Sequence, residues 1–184
     1  MTYLHHRAAA GLAGAIALAL AAPAASNPMV GGAAMYPSRT IVQNAANSKD
    51  HTTLVAAVKA GGLVDTLSGK GPFTVFAPTN EAFAKLPDGT VAKLVKPENK
   101  ATLDRILTYH VVPGRITAQQ IAAMASKHGG TATLKTVEGE PLMFRKAGSG
   151  WWVIDAKGNK ARITIPNVMQ SNGVIHVVDA VLMP

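Results

Sequence analysis

The chain is 184 residues long and 48% apolar, with 18 basic residues against 10 acidic ones and no cysteine. That is enough apolar chain to bury one core, and nothing in it suggests two domains. Disulfides are excluded as a source of stability, so packing must supply it.

Residues 1–24 read as a secretory signal peptide. His5, His6 and Arg7 make a polar, partly cationic start, and Ala8 to Ala22 are almost wholly Ala, Leu, Gly and Ile. Ala22-Pro23-Ala24 then places small residues where a signal peptidase needs them. The alternative, a membrane anchor, calls for roughly 20 apolar residues, more than this run offers. Cleavage after Ala24 removes Arg7 and leaves 17 basic minus 10 acidic residues, a mature net charge of +7. The expected location is secreted or periplasmic. Residues 25–37, rich in Gly, Ala, Pro and Met without a period, read as a flexible lead-in to a domain over 38–184.

From Thr40 the apolar spacing is helical, through Ile41, Val42 and Ala45, and again from His51 to Leu67, where Gly61-Gly62 divides it into two short helices. The local signals agree best over GPFTVFAPTNEAFAKLP, Gly71 to Pro87. Phe73, Val75 and Ala77 alternate as in a strand, Pro78 ends it, and Thr79 or Asn80 caps a helix that carries Phe83 and Leu86 on one face. Pro87-Asp88-Gly89 is a turn, Thr90 to Val95 a short helical stretch, and Asn99 opens a helix with Leu103, Ile106 and Leu107 inward. That helix runs into Tyr109-His110-Val111-Val112 and stops at Pro113-Gly114.

Thr117 and Gln120 form a capping-box pair before a further helix with Ile121 and Met124 inward. After Gly129-Gly130 the period becomes two, giving short strands near 132–137, 141–146, 151–155 and 161–165. The final run, GVIHVVDAVLMP, is apolar on both faces except at His176 and Asp179 and reads as an interior strand. With helices in the first two thirds and most strands in the last, the fold class is α+β.

The residues offer little to catalysis or metal binding. No G-x-S-x-G elbow occurs, Gly69-Lys70-Gly71 is only a fragment of a phosphate loop, and His51, His110, His128 and His176 contain no i, i+4 pair. Glu138 and Glu140 flank a glycine as the solvated tip of a hairpin. The basic residues are dispersed, without runs and without aromatics interleaved along the chain, which argues against nucleic acid and for loose attraction to anionic lipids or polysaccharides. Adjacent Trp151 and Trp152 must face opposite ways in a strand; the outward one is either a contact patch or a half-buried edge.

FTVFAPTNEAFAKLP at 73–87, ILTYHVVPG at 106–114 and SNGVIHVVDAVLMP at 171–184 resemble the two signature blocks and the intervening Tyr-His motif of the fasciclin domain. The resemblance implies a single domain over 38–184, with a wedge of helices packed on two nearly orthogonal β-layers closed by the C-terminal strand. It implies a secreted, non-enzymatic adhesion or interaction module for a cell-surface or matrix protein or polysaccharide, needing no cofactor and no metal.

For the site, the resemblance implies partner contacts at the Tyr-His motif, here Tyr109 and His110. A second family position, Asp-Ile in animal matrix members, reads Asn167-Val168, without the carboxylate that integrin recognition would use. Residues matching Asn80 and His110 are thought to hydrogen-bond to each other in the family, an internal clasp. A scaffold role for His110 outweighs ligand contact, because it ends an amphipathic helix. The second functional class is a carrier of an apolar small molecule, a lipid or carotenoid, for which Met124, Met143, Met169 and Met183 would line an adaptable cavity or else fill the core.

Overall fold

The computed structural model describes residues 27–184; the expected signal peptide at 1–24 lies outside them. The sheet is organised around strand β3, Phe73–Pro78. Its neighbours are β4, Val111–Pro113, on one side and β9, Gly173–Val178, on the other. The β3–β9 pair is parallel, with Val75 opposite Ile175 and Pro78 opposite Val178, so the early strand and the end of the chain meet at the centre. Beyond β9 the order continues through β8 (Lys160–Gln170), β7 (Gly150–Ile154), β6 (Pro141–Ala147) and β5 (Thr131–Lys135), all antiparallel.

Because side chains alternate along a strand, β3 and β9 feed two cores. Val75, Ala77, Ile175 and Val177 face the helical side, packing with Ile41, Leu54 and Leu107. Phe76 and Val178 face the other side, with Tyr109, Ile121, Phe144 and Leu182. The helical side is built from α1 (Ile41–Ala45), α2 (Thr52–Gly61), α3 (Val64–Ser68), α4 (Asn80–Ala84), α5 (Thr90–Leu94) and α6 (Lys100–Tyr109). Gly62, with φ 71°, ends α2 in the left-handed region that only glycine adopts at no cost. α7, Ala118–Lys127, opens on the Thr117–Gln120 capping box and buries Ile121 in the second core.

Three expectations need correction. From residue 27 on, the expected lead-in is ordered into the fold. Met29–Val30 (β1) and Ala33–Ala34 (β2) pair as a ribbon around Gly31-Gly32, and Val30 and Met35 are buried. Both glycines have positive φ, 57° and 74°, the requirement of a tight hairpin turn, and the Gly31 carbonyl accepts from Lys49 N–H at 3.1 Å. The helix through Leu107 ends at Tyr109, and Val111–Pro113 cross into the sheet as β4, where β-branched Val111 and Val112 suit a strand buried on both faces. In the final run only Gly173–Val178 are strand. From Asp179 the chain leaves the sheet, yet Val181 and Leu182 stay buried.

Candidate functional site

Asn80 is the first residue of α4, just after the Thr79 cap, whose hydroxyl accepts from Ala82 N–H at 3.2 Å. The Asn80 amide donates to Lys49 C=O at 2.8 Å, and its Oδ1 accepts from Thr53 N–H at 3.0 Å and from the Thr52 hydroxyl at 3.2 Å. It therefore fastens the β3–α4 corner to the start of α2. His110, where α6 hands over to β4, is buried. Its Nε2 accepts from the backbone N–H of Leu182 at 3.0 Å, so that nitrogen carries no proton and Nδ1–H donates to Ile106 C=O at 2.8 Å. The expected Asn80–His110 clasp is thus replaced by two separate fastenings. The partner of His110 is the C-terminal segment, brought to it by β9.

Tyr109 is completely buried and its hydroxyl is used twice, donating to Pro141 C=O at 3.1 Å and accepting from Ala156 N–H at 2.8 Å. Burial pushes the phenol pKa up. Val168 is also fully buried, whereas Asn167 is half-exposed. Asn167 sits in a bulge of β8 with φ 58°, a conformation Asn tolerates better than most residues. Its Oδ1 accepts from Ala118 N–H at 2.8 Å and its amide donates to Gln119 Oε1 at 3.1 Å, capping α7 from outside. The partner contacts implied for Tyr109, His110 and Val168 need accessible side chains, and burial removes all three. Asn167 serves the scaffold.

His176 repeats the logic of His110. Its Nδ1 accepts from Asn167 N–H at 3.3 Å, Nε2–H donates to Ile116 C=O at 2.8 Å, and the ring stacks on Phe76. Burial lowers the pKa of both histidines, that of His110 to about 4. Burial also lowers that of His51, whose Nδ1 is 2.9 Å from the Ser48 hydroxyl. Among the described residues there is no group of three or more His, Asp or Glu placed to hold a metal, and no helix long and apolar enough to cross a membrane.

An apolar hollow of about 40 Å³ lies between α1, α2, α3 and β3, lined by residues such as Val42, Leu54, Val58, Leu67 and His110. None of Met124, Met143, Met169 and Met183 borders it. Glu138 and Glu140 are not a free hairpin tip: both bond Arg105 of α6, at 2.8 and 3.0 Å, and Arg105 holds the Glu138 carboxyl below its ordinary pKa.

The outward face of β5–β8 was not legible along the chain. Register sets Thr131, Arg145, Trp152 and Arg162 in one row across four strands, and Thr133, Met143, Ile154 and Lys160 in the next. Trp151 points the other way into the second core, with Lys146 over its ring at 5.2 Å, while Trp152 is half-buried on the outward face. The interleaving of aromatic and cation missing from the linear sequence is present across the strands.

The fasciclin domain family model matches residues 49–184. Protein sll1483 of Synechocystis sp. is 49% identical over 158 residues, covering 85% of this chain and 79% of that protein. Immunogenic protein MPB70 of Mycobacterium bovis is 34% identical, with 96% of this chain and 93% of the relative covered. Among solved structures, the domain pair of the insect cell adhesion molecule fasciclin I superposes with a TM-score of 0.71 at 20% identity, over 79% of this chain and 51% of that one. With the parallel β3–β9 pairing, the two-sided core and this family match together, the chain belongs to the fasciclin domain family.

Proposed function

We infer that the protein is a non-enzymatic adhesion or interaction module that works outside the cytoplasm and recognises a macromolecule on a cell surface or in a matrix. One observation carries this reading. The polar residues that could have served chemistry, Tyr109, His110, Asn80 and His176, are bonded within the scaffold, and what remains for recognition is side chains on the outward sheet face. The signal-peptide pattern of residues 1–24 supports the location, and fasciclin I, named a cell adhesion molecule, shares the fold. The carrier reading has weaker support, because the apolar hollow of about 40 Å³ is far smaller than a lipid or carotenoid, and the larger concavity of about 570 Å³ beside Trp151, Arg162 and Asp179 is open and half polar. The test is retention of surface material from the producing cells on immobilised mature protein. Saturable retention is expected; no retention above an unrelated basic protein overturns the reading. An absorbing pigment or extractable lipid in protein purified from its own cells would favour the carrier instead.

A further inference from the structure

We propose that the outward face of β5–β8 is a binding platform for an anionic polysaccharide, with Trp152 as the stacking surface and Arg145 and Arg162 as flanking charge contacts. The proposal rests on the interaction-module reading above and names the chemistry of its partner. Charge is its first support. The four strands contain five basic residues, Lys135, Arg145, Lys146, Lys160 and Arg162, and not one acidic residue. Lys146 turns to the inner side over Trp151, which leaves four cations on the outward face, all exposed.

Those four cations are unspent. Among the described residues the ion pairs join Lys100 to Asp104 and Arg105 to Glu138 and Glu140, and none takes a cation of this face. Arg145 Nε donates only to the Thr131 hydroxyl, at 3.2 Å. The bordering carboxylate of Asp179 accepts the backbone N–H of Arg162 at 2.7 Å. The two glutamates of the β5–β6 hairpin are held by Arg105 on α6. A cluster of like charges without ion-pair partners raises the local concentration of polyanions.

Geometry selects among polyanions. Neighbouring strands lie about 4.8 Å apart, so Arg145 and Arg162 are separated by two spacings, roughly 10 Å, with Trp152 between them. A sugar ring with its glycosidic bond is comparable in length to one strand spacing, which is about 4.8 Å. One sugar ring can thus lie with its C–H face on Trp152 while acidic groups on the rings beside it meet the two guanidiniums, which suit planar bidentate contact with carboxylate or sulfate. Single-stranded nucleic acid is served by successive aromatics for successive bases, and this face has one. A membrane surface is served by several apolar groups that protrude; of the large apolar side chains in these two rows Trp152 is half-buried, Ile154 is buried and only Met143 is exposed.

The test is equilibrium binding of the mature protein to heparin and polygalacturonate, with neutral dextran, a thymidine oligonucleotide and phosphatidylserine vesicles alongside. Both acidic glycans are expected to bind, more weakly as salt rises, and dextran is not. The double variant Arg145→Gln, Arg162→Gln and the single variant Trp152→Ala should each weaken glycan binding about tenfold or more. The double variant Lys93→Gln, Lys96→Gln, which removes the same charge elsewhere, should bind as the parent does. Should Trp152→Ala lower the unfolding midpoint, the arginine double variant decides alone. The platform is overturned by absent glycan binding, by equal losses in the two double variants, or by tighter binding of the oligonucleotide or vesicles through the same residues. If surface material is retained equally by the parent and the arginine variant, the platform fails and the interaction module stands; if the parent retains none, both fail.

Discussion

A buried histidine that accepts a backbone N–H resists a second proton. Leu182 N–H points at Nε2 of His110, and Asn167 N–H at Nδ1 of His176, so a second proton on either ring would face a donor with a donor. The consequence for stability follows from linkage. In the unfolded chain a histidine titrates near 6.5, whereas folded His110 does so at about 4, so between these values the unfolded chain takes up a proton that the folded chain refuses. The contribution is intact above the unfolded value and is lost as pH falls toward 4, on the order of 3 kcal/mol from His110 alone. His176 and His51, also lowered, act in the same direction. Urea midpoints measured at intervals between neutral and mildly acid pH should fall steadily; a flat profile would show that the rings accept protons without loss. His110→Ala leaves Leu182 N–H buried without an acceptor and opens a void, at an expected cost of about 2 to 4 kcal/mol. Asn80→Ala removes three bonds at a half-exposed site, at about 1 to 2 kcal/mol. Since the two residues share no partner, the double variant should equal the sum within about 0.5 kcal/mol. A markedly smaller loss in denaturant titrations would mean that they are coupled after all.

At the level of elements, β9 has two neighbours and two buried faces, and the segment after it supplies Leu182 N–H to His110 and Met183 N–H to Asp155 Oδ2 at 3.0 Å. Deleting Gly173 to Pro184 should abolish the cooperative thermal transition, because each large apolar side chain buried there contributes roughly 1.5 to 3 kcal/mol against a typical total of 5 to 15. A truncated chain that still melts cooperatively would make β9 peripheral. Gly173 is a sensitive position in this strand. A Cβ there would overlap the carbonyl of Phe73 in the paired strand, and Gly173→Ala should lower stability by at least about 2 kcal/mol in the same assay. The β3–α4 corner was legible in the sequence because strand periodicity, Pro78 and the Thr79 cap are all local signals. The Thr117–Gln120 capping box and the Gly61-Gly62 break are of the same kind. β4 was not legible, because Val111-Val112 continue an apolar run and only pairing with β3 makes them strand. Nor was the β1–β2 ribbon, whose Gly31-Gly32 turn is flanked by just two paired residues on each side.

Across the whole molecule, what the linear sequence could not show is which distant residues become neighbours. Asn80 and His110 were recognisable as polar groups at the rim of a core, but their partners lie at Lys49, Thr52 and Thr53 for the one and at Leu182 for the other, and topology alone brings them there. Arg145, Trp152 and Arg162 stand apart along the chain and become a row through the registers of two hairpins. The parallel pairing of β3 with β9 is the extreme case, joining Phe73 to Gly173. Contacts so far apart make folding slow relative to helical proteins of this size, and refolding is expected in the millisecond-to-second range by stopped-flow fluorescence of the two tryptophans. Microsecond refolding would show that the central pairing is not limiting. The same pairing acts on a chain that leaves the ribosome one residue at a time. After β3 has emerged, 100 further residues must follow before its partner Val178 does. At about 5 to 20 residues per second that is roughly 5 to 20 s in which an apolar strand has one side unclaimed. Throughout that interval whatever escorts the nascent chain has this strand edge to guard.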